Sequence, residues 1–421
     1  MEPHGTLPFP VWSSGKSRTG VLFWLGLGLA ASATGQSGTY NNITGFSVAA
    51  SGHPFAMTAG RDGALWFTEA FAGNDKIGRI TTSGAFTEYS VPGDSSPNDI
   101  TAGPDGALWF TDDGNNSINR ITTAGVVTEY SLPTILSNPE GITAGPDGAL
   151  WFTELGSNIS APKIGRITTA GTITEYPVPN GDPVEITTGP DGALWFTNFL
   201  TGKIGRITTH GVLTEYLVSD GVELGGITAG LDGALWFTEV VANKIGRITT
   251  AGLITEFPIP GGGVDLYWIK RGADGALWFM EGPPARIARI TTTGVITQYL
   301  LPNTASTPEG IASGPDGALW FTEYAYTIGR APACGLGLGA SFANKTINLT
   351  FDLGIDTPAI WDLKVGDAVT TKPIPAVVPP SVFSIQWGPV ASSGLVTIKS
   401  SLSNSSREVL CAEWTTVNTA Q

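Results

Sequence analysis

The sequence predicts an all-β protein: a seven-bladed β-propeller closed by an N-terminal strand, followed by a small β-sandwich. Three observations carry that expectation. A phrase built around Gly-Ala-Leu-Trp returns along the chain, with its tryptophan at Trp66, Trp109, Trp151, Trp195, Trp236, Trp278 and Trp320, in steps of 43, 42, 44, 41, 42 and 42 residues. A period of ~40–45 residues containing several short strands marks a propeller blade. The repeats are β-branched and aromatic, are cut by Gly and Pro, and show no apolar pattern of period 3.6. Finally, the last repeat lacks a fourth strand, and the missing phrase stands just before the first repeat.

Residues 1–33 read as a signal peptide. Lys16 and Arg18 precede an apolar run from Val21 to Ala31, and Ala31-Ser32-Ala33 supplies small residues for cleavage. The alternative is a retained anchor, for which the run is short. The expectation is an exported protein, periplasmic or extracellular, with no membrane span after cleavage.

The propeller is expected over 43–331. Ile43 to Val48 has the phrase of an outer strand, as in Ile173 to Val178, and would complete the seventh blade, which stops at Ala331-Pro332. Such closure leaves no open ring end. In blade 3 the inner strand is Gly141 to Ala144. Gly145-Pro146-Asp147-Gly148 is a tight turn, in which Pro presets φ and Gly tolerates φ > 0. Strands follow at Ala149 to Glu154, Lys163 to Thr168 and, after Ala170-Gly171, Thr172 to Val178. The tryptophans would supply packing between blades.

From about Cys334 the repeat is gone, and β-rich runs alternate with turns to residue 421, which predicts the sandwich. In an exported protein, Cys334 and Cys411 would most simply form one disulfide. The formal net charge of −14 argues against nucleic-acid binding, which rests on cations that neutralise phosphates. A monomer is expected.

Repeats within one chain separate scaffold from function. The GPDG and TTAG-type turns, alike in all blades, lie on one face, and the variable connections lie on the other, where binding is expected. The Glu ending strand two (Glu69, Glu154, Glu239, Glu281, Glu323) and the Arg of strand three recur in most or all blades, so they read as structural polar pairs. The informative positions open the inner strands. Two residues before the recurring Ile stand Phe55, Asn98, Glu140, Val184, Gly225, Tyr267 and Glu309. Two residues earlier stand His53, Ser96, Asn138, Asp182, Glu223, Asp265 and Thr307. The acids would ring the channel mouth, where Glu309, Glu140 and Asp265 could hold a divalent cation or simply be solvated. Blade 6 departs most: Tyr267, Trp268, Lys270 and Arg271 suggest a ligand contact, or charges that offset the acidic ring and side chains that fill the channel. With Glu140 and His53 they form the expected binding set for a small-molecule, peptide or glycan ligand.

The units GITAGPDGALWFTE and NKIGRITTAGLITEFPIP, over Ile43 to Arg330, resemble those of the virginiamycin B lyase (streptogramin B lyase) family. The resemblance implies a seven-bladed propeller that opens the ester of cyclic streptogramin B antibiotics by Mg²⁺-assisted elimination. A general base takes the proton alpha to a carbonyl. It also implies histidines at the inner-strand starts of two late blades, with a Glu two residues before the second. Those places hold Tyr267, Glu309 and Thr307 here, which makes Glu309 and Tyr267 the candidate catalytic pair. The alternative is a non-catalytic extracellular propeller that binds glycan or protein ligands.

Overall fold

The computed structural model describes residues 36–39, 43–48, 53–70, 75–93, 95–219, 223–261, 266, 268–282, 284–324 and 326–332, and strands between 339 and 418. The signal peptide, Asp265, Tyr267 and Cys334 lie outside the described residues, as does the side chain of Cys411. No helix among the described residues is long and apolar enough to cross a membrane.

Seven antiparallel four-stranded sheets form the blades, and strand order follows the chain in blades 1 to 6. In blade 3 Pro139–Ala144, Leu150–Glu154, Lys163–Ile167 and Ile173–Pro177 run from inside outward. Blade 7 takes its outer strand from the N-terminus: Thr44–Ser47 pairs with Thr327–Pro332, Thr44 opposite Arg330 and Ser47 opposite Thr327. Phe46 stacks on Trp320 at 5.4 Å, as Tyr89 stacks on Trp66 at 5.4 Å in blade 1. The ring is therefore closed as the sequence predicts. One strand was not foreseen: Gln36–Thr39 runs parallel to the outer strand of blade 6, Ile296–Leu300, and makes that sheet five-stranded.

Strand two is apolar on both faces because every sheet lies between two others. Trp109 of blade 2, for example, packs against Ile142, Leu150, Phe152 and Ile167 of blade 3. The third strand must come close to the Phe of the second. A Cβ on Gly165 would lie 2.1 Å from the Phe152 ring, which explains the Gly of KIGR. The GPDG aspartate is more than turn chemistry. Asp147 accepts from Trp151 Nε1 (3.0 Å) and Arg166 Nε (2.7 Å), and the guanidinium lies 5.9 Å from the Trp151 ring centre. The recurring Arg thus pairs with the turn of its own blade.

The recurring Glu of strand two differs from the expected polar pair. Glu281 is bound by Gln298 and Arg286, whereas both carboxylate oxygens of Glu69 and Glu239 lack a hydrogen-bond partner among the described residues. Burial, with Glu88 and Glu256 nearby, pushes these two acids up to about 7.

Beyond residue 339 two antiparallel sheets form. One orders Gly339–Ala343, Thr346–Leu353 and Ser381–Trp387; the other orders Ala368–Ile374, Ala359–Val365, Leu395–Ser403 and Val409–Asn418.

Candidate functional site

The inner strands open on the variable face with a β-bulge. The register shifts between Pro97 and Ile100, and likewise at Pro54/Met57, Pro139/Ile142, Pro183/Ile186, Leu224/Ile227 and Pro308/Ile311. A bulge sets two residues against one and re-aims their side chains. Here both residues are anchored by the Thr of strand two. Thr111 Oγ1 accepts the Asp99 N–H (3.0 Å) and donates to the Glu140 carbonyl of the next blade (2.6 Å). The same link joins Thr68 to Asn98, Thr153 to Val184, Thr197 to Gly225 and Thr322 to Phe55. Bulge pairs of six blades therefore line the throat.

Phe55, Asn98, Glu140 and Val184 are buried in this throat, and Glu309 is half-buried. Asn98 Nδ2 donates to Glu140 Oε2 at 2.5 Å. Burial, reinforced by the charges of Asp113 and Asp99, pushes Glu140 up to about 8, against the pull of Asn98. At neutral pH it is largely a carboxylic acid rather than the solvated acid a loop would give. Trp268 is buried edge-on to Phe55, with ring centroids 5.9 Å apart. His53 sits at the seam of blades 7 and 1. Its Nδ1–H donates to the Tyr324 carbonyl (2.9 Å), and its ring stacks on Tyr324 and Tyr326 at 4.3 and 4.6 Å. His210 is exposed on the turn face.

The second bulge residue adds a feature the sequence reading missed. Asp99 of blade 2 and Glu185 of blade 4 are buried, each only 6–8% exposed. Asp99 accepts the N–H groups of Ile100 and Ile142, both at 2.8 Å. Burial holds both acids above the ordinary range, against the field of Lys270. The signal was one column away, since the residue immediately before the recurring Ile reads Ala56, Asp99, Gly141, Glu185, Gly226, Trp268, Gly310. Two acids among mostly small residues stand out there.

The predicted binding set is divided. Glu140, Trp268 and His53 belong to the variable face, whereas Lys270 and Arg271 line a cavity among the inner-strand ends at the turn face. The expected metal acids do not form a described cluster. Glu140 and Glu309 belong to blades 3 and 7, which are not neighbours, and among the described residues no three His, Cys, Asp or Glu side chains could hold a metal ion.

The sequence model of the virginiamycin B lyase family matches residues 23–183 and 178–336. No curated protein matches the chain. Among solved structures, a streptogramin B lyase is 40% identical, over 69% of this chain and 96% of that one, with a TM-score of 0.64. A catalytically inactive His-to-Ala variant of virginiamycin B lyase from Staphylococcus aureus, solved with quinupristin, is 39% identical over 69% and 98%, also at 0.64. The selenomethionine-substituted enzyme from the same organism is 40% identical over 69% and 98%, at 0.63.

Proposed function

We propose that this chain, which belongs to the virginiamycin B lyase family, binds a small cyclic or peptide-like ligand in the throat of its variable face, as an exported monomer. The observation that carries this reading is the buried Asn98–Glu140 pair at the inner-strand starts, the level at which Phe55 and Trp268 also stand. Small-molecule sites combine apolar side chains with a few fixed polar groups, and the throat carries both. Tyr267 and His53, which open the inner strands of blades 6 and 1 in the sequence, would contact the ligand. Export rests on the residue 1–33 segment, and the same exported setting supports a Cys334–Cys411 bridge closing a C-terminal sandwich built from the two distal sheets.

A second reading keeps the elimination chemistry of the family. Glu309, with Tyr267, occupies the places the family resemblance assigns to histidines, so a carboxylate would be the base. It would take the proton alpha to the ester-bearing residue's carbonyl. The C–H electron pair would form a C=C bond, the C–O bond would break, and the ester would leave as a carboxylate. Imidazole is poorly placed for this, because His53 is committed to Tyr324 and His210 lies on the other face. Mg²⁺ would supply charge stabilisation, but Glu140 is engaged by Asn98 and disfavours the charged form, which makes it a poor ligand for the ion.

Calorimetric titration with quinupristin, followed by chromatography and mass spectrometry with Mg²⁺ present, tests both readings. Binding that weakens about tenfold or more in Trp268→Ala, with no new product, supports the binding reading. A ring-opened product of unchanged mass that disappears in Glu309→Gln supports elimination. Neither binding nor product overturns both.

A further inference from the structure

Lys270 and Arg271 serve a second place in the molecule. Past the bulges, toward the turn face, the inner strands line a cavity of about 480 Å³. Its wall carries a level of hydroxyls, from Thr58, Thr101, Thr143, Thr187 and Thr228 of blades 1 to 5. Blade 6 alone places a cation at that level, Lys270, and a second at the next residue, Arg271, where four blades carry Ala59, Ala102, Ala144 and Ala229. Lys270 Nζ stands 5.4 Å from the Trp268 ring centre. Arg271 is exposed at the mouth, and among the described residues neither cation makes an ion pair. The one acid in the lining, Asp99, has both oxygens taken up by backbone N–H groups at 2.8 Å.

Two cations without an ion pair among the described residues, beside a ring of hydroxyls, suit one ligand chemistry, although Lys270 also lies in the field of Asp99 and Glu185. A guanidinium presents a planar fork that matches a carboxylate, and a threonine hydroxyl both donates to and accepts from a ligand hydroxyl. We propose that this cavity is a second binding site, distinct from the throat, for a small polyhydroxylated carboxylate, its carboxylate held by Arg271 and Lys270 and its hydroxyls by the threonine level. The volume is within the range of small-ligand pockets.

The test is calorimetric titration of the full chain with galacturonate, glucose and inorganic phosphate. The Lys270→Thr/Arg271→Ala double variant gives blade 6 the residues other blades carry, so it is expected to fold, as circular dichroism and a melting curve would verify. Arg271→Ala alone, at an exposed side chain, serves as the second variant. The expected result is saturable galacturonate binding that weakens about tenfold or more in both variants, with glucose and phosphate each weaker than galacturonate by about that factor in the native chain. The proposal is overturned if galacturonate does not bind saturably, if glucose or phosphate binds as well, or if the variants bind as the native chain does.

Discussion

Asp274 and Arg289 of blade 6 have side chains only 5% and 4% exposed, whereas Asp62 and Arg79, the same pair in blade 1, are 18% and 22% exposed. The geometry is the same, 2.7 Å between guanidinium Nε and carboxylate in both. Removing the carboxylate charge of a buried pair takes compensation from a guanidinium that water reaches poorly. Asp274→Asn is therefore expected to destabilise by about 3–5 kcal/mol, since the Arg289 charge stays buried. Asp62→Asn should cost only about 1 kcal/mol, because water reaches Arg79. Urea denaturation of the two variants checks this, and equal losses would contradict it. The Asp and Arg of each blade were legible as recurring residues. Their partnership was not, because 14 to 19 residues of chain separate partners that only the folded sheet brings together.

At the level of the strand, the threonine of ALWFT is the part that unites blades. Thr322 Oγ1 accepts from Gly310 N–H at 2.8 Å and donates to the Phe55 carbonyl at 2.6 Å, which stitches blade 7 to blade 1. Thr322→Val keeps the shape and removes both bonds, leaving a buried donor and a buried acceptor unmet. The expected loss is about 1–3 kcal/mol in equilibrium unfolding. An unchanged midpoint would show that the stitch contributes nothing. Blade 6 has Met280 in that place, without a hydroxyl, so the seam toward blade 7 lacks this link. That seam adjoins the blade whose inner strand departs most from the repeat.

Across the whole molecule, buried acids set the response to pH. Glu69, Glu154 and Glu239 are pushed up to about 7 and Glu140 to about 8, all first by burial, from an ordinary value of 4.5. Their folded-state values are raised, so the folded protein holds protons that the unfolded chain releases. That stability is fully present below about 4.5 and is lost as pH rises through 7 to 8. The turn aspartates act in the opposite direction: Asp62, Asp105, Asp147 and Asp191 are lowered, chiefly by hydrogen bonds from their Arg and Trp partners that outweigh burial, and their contribution disappears only in stronger acid. The melting temperature is expected to peak near pH 5 and to fall steadily toward pH 9. A midpoint that rises between pH 5 and 8 would contradict the assignment of these acids.

The sequence by itself determined the ring: its blade number, the turn chemistry of each unit, and closure by Ile43 to Val48, with Phe46 standing where other blades have Tyr. A repeat makes this possible, because each blade is an internal control on the others, and local turn and strand preferences agree with the period. It also placed Glu140 and Trp268 on the channel by their departure from the repeat. Only the tertiary structure decided how deep those residues lie. Burial turned Glu140 from a loop acid into a largely protonated one, and it brought Asp99, Glu185 and Lys270 from blades 2, 4 and 6 into one field. It also separated Lys270 and Arg271 from the throat, since successive residues of an inner strand descend the channel and one strand can serve both of its ends. Depth and distance around a ring are properties of the closed assembly, and no single blade encodes them.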